Sequence, residues 1–130
     1  ALFCTFTPTL PGDFYNGMLE ISRDLLGLGW WEMLFRAVAA GFLMAAMVWL
    51  MPGAEGAQFH VITLMTWLIA VGGFTHIVAG SMESYLLLFS GEWIWWRMIT
   101  DFMVPVLIGN MIGGTALFAL IAYAQVMDEI

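Results

Sequence analysis

Long apolar windows alternate with short polar segments along the chain. Three windows contain no Asp, Glu, Lys or Arg, and they cover residues 37–54, 56–82 and 102–127. Each window reaches the roughly 18 to 20 residues that a helix needs to cross a bilayer. The pattern therefore predicts three transmembrane helices, which we name span A (residues 31–52), span B (59–89) and span C (99–127).

Proline and glycine mark the segments that connect these spans. Pro8, Pro11 and Gly12 interrupt the chain before a stretch in which apolar and charged residues alternate, as in a helix lying in the membrane interface. Pro52 and Gly53 predict a turn after span A. The predicted segments outside the spans are the end of a preceding span with the interfacial helix (1–30), the turn (53–58), a connecting loop (90–98) and a tail (128–130).

Tryptophans cluster beside two of the spans. Trp30 and Trp31 precede span A, whereas Trp93, Trp95 and Trp96 precede span C. Tryptophan is enriched at the membrane–water boundary. Because two spans separate the clusters, both fall on one membrane face, which supports the count of three.

The composition also requires a membrane. Of the 130 residues, 62% are apolar, and the mean hydropathy is +0.92. A water-soluble core of this size cannot bury so much apolar surface. The net charge of −7 comes from acids that lie almost entirely in the connections, so it predicts no cationic substrate.

The first residues do not form a cleavable signal peptide. The segment "ALFCTF" lacks an initiator Met and basic residues, and we expect it to be the end of an earlier span in a protein that begins further upstream. Cys4 is the one cysteine, so it forms no internal disulfide. It has no Cys or His neighbour at the spacing of metal ligands, and we predict no metal site.

Span B is too long for a straight helix that stands upright in the membrane. Its charge-free window of 27 residues would measure about 40 Å, against roughly 30 Å of hydrocarbon. Gly72 and Gly73 lie near its middle, where a membrane helix unwinds at least cost provided that the freed backbone faces protein or water. We predict a break there and a cavity beside it.

His76 lies next to this predicted break. An ionisable side chain in mid-membrane costs at least about 2.5 kcal/mol and usually marks a path for ions or protons. In helical spacing it shares a face with Ile69, Gly80 and Glu83. The alternative is a neutral histidine that is hydrogen-bonded to a neighbouring helix for structural reasons.

Span C contains a polar residue of its own. Asn110 in mid-span needs a hydrogen-bond partner, and Gly109 and Gly113, four residues apart, allow another helix to approach closely. Helix packing is the main interpretation of that spacing. Pro105 is expected to bend the span.

Three segments together resemble a known family. "GGFTHIVAG", followed by "ITDFMVPVLIGNMIGG" and preceded by "EMLFRAVAAGFLMAAMVWL", is similar to the second half of the formate/nitrite transporter family of pentameric inner-membrane channels for small monovalent anions. The resemblance implies an all-α integral membrane protein. Spans A to C would be helices four to six, forming one inverted repeat of an aquaporin-like six-helix channel whose fifth helix is broken near Gly72 and Gly73.

The resemblance also implies roles for individual residues. His76 corresponds to the central pore histidine, and Asn110 to the asparagine that hydrogen-bonds it. Because an imidazole titrates near neutral pH, we hypothesise that His76 serves as a proton donor or an electrostatic gate. Ile69 corresponds to a constriction residue that is usually Phe. The residues expected to line the constriction and pore are Ile69, Phe74, Thr75 and Gly80.

The sequence departs from the family pattern at two positions beside His76, as well as at Ile69. Thr75 replaces a common Glu, and Gly80 replaces a common Asn, so a specificity for formate or nitrite does not carry over. The family's orientation places both termini in the cytoplasm and Arg23, Arg36 and Arg97 outside. The positive-inside rule predicts the opposite, and we follow the family.

The expected partners are small monovalent anions, the lipid bilayer of a bacterial inner membrane and further copies of the chain in a homo-pentamer. We expect no enzymatic activity, no cofactor and no nucleic-acid partner. Two alternatives stay open: a purely structural membrane subunit, and a haem-binding subunit with His60 and His76 as axial ligands. The two histidines would lie about 24 Å apart on one helix, too far to hold one haem within a chain.

Overall fold

The computed structural model describes residues 1–8 and 10–127, and the predicted tail at 128–130 lies outside the described residues. The described chain is helical and contains no strand. Its separate helices are α1 (Leu2–Phe6), α2 (Gly12–Arg23), α3 (Trp30–Leu50), α4 (Gln58–Val71) and α5 (Ile77–Phe89). A final helix, which we name the C-terminal helix, begins at Trp95 and continues to Met127. Short 3₁₀ turns follow α2 (Asp24–Gly27) and α3 (Met51–Gly53).

Two helices are long and apolar enough to cross a membrane. They cover Trp30–Gly53 (24 residues) and Trp95–Gln125 (31 residues), where spans A and C were predicted. Only 28% and 22% of their most apolar windows are buried inside the molecule. An apolar helix with such an exposed surface is typical of a membrane protein rather than of a soluble core.

Span B consists of two shorter helices instead of one. Helix α4 has 14 residues and α5 has 13, and residues 72–76 between them are not helical. A helix of 14 residues is about 21 Å long, which is less than the roughly 30 Å of hydrocarbon. Only the two halves together are long enough to cross.

Helix α3 and the C-terminal helix touch through their backbones. A Cβ added to Gly109 would overlap the Leu34 carbonyl oxygen, and one added to Gly113 would overlap that of Val38. The four-residue spacing of these glycines therefore serves helix packing, as the sequence indicated. Both contacts advance in the same direction along the two helices, so the helices run parallel, and α4 and α5 must carry the chain back between them.

The C-terminal helix is irregular at two places. It is α-helical over Trp95–Arg97, Val104–Met111 and Phe118–Met127, and π-helical over Met98–Met103 and Ile112–Leu117. Pro105 follows the first π-turn, and its ring lacks the N–H that would bond the carbonyl four residues earlier. The second π-turn contains Gly113, where the helix lies against α3. The π-turn before Pro105 is the irregularity that the structure shows there, and the bend itself stays a prediction.

The packed core lies where α2, α3, α5 and the C-terminal helix meet. Its buried members include Leu19, Met33, Leu87, Phe102 and Val106. This core supports the side of the molecule on which α3 and the C-terminal helix begin. Helix α4, in contrast, has no buried residue.

An ion pair joins α2 to the loop that follows α5. Arg23 Nε donates to Glu92 Oε2 at 2.8 Å, and Arg23 Nη2 donates to Glu92 Oε1 at 2.6 Å. The hydrogen bonds and the positive charge of Arg23 hold the pKa of Glu92 below its ordinary value. The pair connects segments that are 69 residues apart in sequence.

Candidate functional site

The gap between α4 and α5 is a turn followed by extended backbone. Helix α4 closes with a hydrogen bond from Gly73 N–H to Ala70 O (3.1 Å) and one from Phe74 N–H to Ile69 O (3.0 Å). Gly73 has φ of +58°, in the left-handed region that glycine adopts without strain. His76 is extended (φ −120°, ψ 131°) and directly precedes α5, so it lies at a helix N-terminus.

Asn110 holds the backbone on both sides of His76. Its Nδ2 donates to the carbonyl oxygens of Thr75 (3.2 Å) and Ala37 (2.8 Å), and its Oδ1 accepts from Ile77 N–H (2.9 Å). The Thr75 carbonyl and the Ile77 N–H are backbone groups that the break leaves without a helical partner, and a carboxamide offers both the donor and the acceptor that they require.

The side-chain hydrogen bond expected between Asn110 and His76 is not made in this structure. All three bonds of the Asn110 amide go to backbone atoms. Asn110 therefore acts on the peptide groups that flank His76. It fixes the backbone to which the imidazole is attached and makes no bond to the ring.

Thr75 is tied to span A rather than directed into open space. Its hydroxyl donates to the Met33 carbonyl oxygen at 2.8 Å, and the residue is only 6% exposed. A carbonyl in the first turns of α3 thus accepts a bond from the break. Thr75 contributes to the wall of the site mainly through its backbone and methyl group.

Arg36 is a site residue that the sequence analysis placed only at the membrane edge. The predicted pair with Glu32 is present, with Nη2 at 2.7 Å from Glu32 Oε1. Its Nη1, however, donates to the Gly73 carbonyl oxygen at 3.1 Å, so the guanidinium lies directly against the break. The available signal was that Arg36 is the last charge before the apolar window of span A.

A cavity of about 640 Å³ opens beside the break. It is bounded by α3, both halves of span B, the turn after α2 and Phe102 of the C-terminal helix. The predicted site residues on its wall are Ile69, Gly73, Phe74, Thr75, His76 and Gly80. Gly72 and Asn110 are not on the wall, and Asn110 supports it from behind. His60 is exposed on α4, away from this cavity.

Four ionisable side chains line the same cavity. Arg36 and His76 lie at the break, while Glu83 on α5 and Asp24 in the turn after α2 complete the set. The sequence analysis placed Glu83 on the face of His76 but assigned it no role, and it assigned Asp24 to a connection. Much of the remaining wall is apolar, including Ile69 and Phe74.

Two glycines at the site leave room for aromatic rings. A Cβ on Gly80 would lie 2.6 Å from Cζ of Phe102, and a Cβ on Gly72 would lie 2.5 Å from Cε2 of Phe74. The Phe102 ring fills the space that a side chain at position 80 would occupy. Gly80, at which the sequence departs from the family pattern, is therefore packed directly against the Phe102 ring.

The family model for the formate/nitrite transporter matches residues 1–124. The chain belongs to the formate/nitrite transporter family. The chain is similar to three named proteins. It is 40% identical over 124 residues to the inner membrane protein YfdC of Escherichia coli strain K12, 26% identical over 117 residues to the uncharacterized transporter YrhG of Bacillus subtilis strain 168, and 30% identical over 105 residues to the formate channel BtFdhC of Bacillus thuringiensis.

The matched regions include most of this chain but less than half of each relative. They cover 95%, 88% and 79% of the chain, and 40%, 44% and 40% of the relatives in the same order. No solved structure matches it. The family and the first of these relatives identify a bacterial inner-membrane protein.

Proposed function

We propose that this chain forms part of a transmembrane passage for small monovalent anions such as formate. The observation that carries the proposal is the break in span B, which places His76 and Arg36 on one cavity within a membrane-spanning segment. The family and the relative described as a formate channel support this class of substrate.

The site has positive groups where an anion loses its water. Dehydration of a carboxylate costs several kcal/mol or more unless fixed charges or dipoles replace the water. Arg36 offers a guanidinium on the cavity wall, and the N-terminus of α5 adds the positive end of a helix dipole at His76. Together they stabilise an anion at the break.

We infer that His76 is the proton donor. In its charged form the imidazole gives a ring N–H proton to an oxygen of the carboxylate, which yields the neutral acid and a neutral imidazole. The neutral acid passes the apolar wall at Ile69 and Phe74 at much lower cost than the anion. The imidazole then takes up a proton from water, since histidine is the side chain whose unperturbed pKa lies closest to neutral pH.

We also propose that spans A, B and C form one inverted repeat of a six-helix unit, and that several such units form a homo-pentamer. Two features support the proposal of a second repeat outside this chain. The chain spans about two fifths of the relatives that it matches, and α4 buries none of its residues within the chain. A second repeat packed against α4 would close the cavity on its open side.

His76→Asn tests the proposal, with His60→Asn as the matched control, and both are made in the full-length protein that contains this chain and the proposed second repeat. We expect the His76 variant to lower formate flux into proteoliposomes by at least about tenfold and to flatten its dependence on pH, because the proton donor is lost. The control removes an exposed imidazole on α4 and should leave flux unchanged. Equal flux and equal pH response in both variants would overturn the role of His76.

The same vesicles test the function itself. Wild-type protein that passes neither formate nor nitrite would overturn anion passage and favour the purely structural subunit. We expect formate to pass and a divalent anion such as sulfate to be excluded. An anion with two charges requires more compensating positive charge than Arg36 and His76 supply.

A further inference from the structure

The ionisable groups on the cavity wall are arranged by sign. Helix α5 runs from the break towards the loop that carries Trp93, so Glu83, seven residues after His76, lies between the break and the end where α3 and the C-terminal helix begin. Asp24 belongs to the turn just before α3, at that same end. The cavity therefore has its two carboxylates towards the end where α3 begins, whereas Arg36 and His76 lie at the break.

Neither of these carboxylates has a counter-ion within the described part of the chain. The ion pairs found there are Arg23 with Glu92 and Arg36 with Glu32. Asp24 lines the same cavity as Glu83, so two carboxylates face one space. A half-buried carboxylate inside a membrane span, without a partner and beside a second acid, is a costly group that packing alone does not require.

We propose that Glu83 is an electrostatic gate for anions that enter the cavity from the side on which α3 begins. As a carboxylate it repels an anion before the anion reaches Arg36 and His76. As a carboxylic acid, after it has taken a proton from the water at that side, it lets the anion pass. The inference rests on the proposed anion passage and adds a second titrating residue to it.

The charged groups around Glu83 are limited in number. On the cavity wall they are Asp24, Arg36 and His76. Arg23 on α2 is held by Glu92, and Asp101 on the C-terminal helix accepts a hydrogen bond from the Thr100 hydroxyl and is not on the wall. Only Asp24 adds a negative charge to that of Glu83 on the wall.

Glu83→Gln removes the gate while keeping the size of the side chain. We expect formate flux near neutral pH to rise about tenfold, since one unit charge several ångströms from the path is removed. Flux at acidic pH should match that of the wild type, in which Glu83 is protonated. Glu20→Gln is the matched control, because Glu20 is exposed on α2 and lies outside the cavity, and its flux should equal that of the wild type at every pH.

Two further variants separate a gate from a structural role. Glu83→Asp keeps a titrating carboxyl and should keep the pH response, whereas a packing role would be disturbed by both substitutions. Asp24→Asn removes the second carboxylate from the cavity wall, which lowers the barrier to anions near neutral pH, so the pH profile of flux should differ from that of the wild type. The Asp24 variant keeps the test available if Glu83→Gln does not assemble.

The outcomes distinguish this proposal from the function on which it rests. Wild-type flux with an identical pH profile in Glu83→Gln would overturn the gate and leave anion passage in place. An unshifted profile in Asp24→Asn, with Glu83→Gln unassembled, would also overturn it. Wild-type protein without formate flux would overturn both.

Discussion

At the scale of single residues, Asn110 connects the three spans. One carboxamide in span C bonds the Ala37 carbonyl of span A and two peptide groups in the break of span B. The sequence predicted that a mid-span amide needs a partner, and the family resemblance implied that His76 is that partner. The sequence could not show that the partners are backbone atoms, because peptide groups become available only where the helix has opened.

Asn110→Leu is expected to destabilise the fold by about 2–4 kcal/mol, because the Thr75 carbonyl and the Ile77 N–H lose their side-chain partner inside the membrane span. The measurement is thermal unfolding in detergent. Asn16→Leu is the control, since Asn16 is an exposed amide on α2. Equal melting temperatures for the two variants would show that the amide does not hold the break.

At the scale of elements, the break in span B follows from length and glycine. A straight helix of 27 residues is longer than the hydrocarbon layer is thick. The helix is interrupted at Gly72 and Gly73. The two π-turns of the C-terminal helix were not predicted. They depend on where that helix meets α3, and no local pattern contains that information.

Gly113→Leu tests the contact between these helices. Any side chain at Gly113 must displace the Val38 carbonyl, so we expect a loss of at least about 2 kcal/mol in stability and a large loss of assembled protein. Gly17→Leu is the control, because Gly17 is inside α2 with nothing within 4 Å of an added Cβ. It should be neutral or slightly stabilising. Similar unfolding curves for both variants would contradict backbone contact at Gly113.

At the scale of the whole molecule, the arrangement depends on contacts between distant segments. The Arg23–Glu92 pair holds α2 to the loop after α5, and the turn after α2 forms part of the cavity wall. The pair is exposed, so solvent and salt weaken its contribution. The pair holds α2, which directly precedes the turn carrying Asp24, to the segment that follows α5.

This pair predicts a dependence of stability on pH. Because the folded protein lowers the pKa of Glu92, the stabilisation is complete above the unfolded value, about 4.3, and is lost as the pH falls through the folded value. Glu92→Gln should therefore melt slightly below the wild type at neutral pH and low salt. The difference should vanish in strong acid or high salt, and a difference that persists in both would exclude the ion pair as its cause.

The sequence by itself determines the membrane setting, the family, the position of the break and the identity of His76 as the residue beside it. The setting, the break and the histidine follow from local physics, since apolar length, paired glycines and one ionisable side chain are properties of short segments. The family follows from the resemblance of the motifs. Only the tertiary structure decides that Arg36 reaches Gly73, that Glu83 and Asp24 share a cavity with His76, and that Asn110 bonds backbone. Those relations join residues that are 33 to 73 positions apart or lie on different helices, and no local pattern specifies which helices will meet.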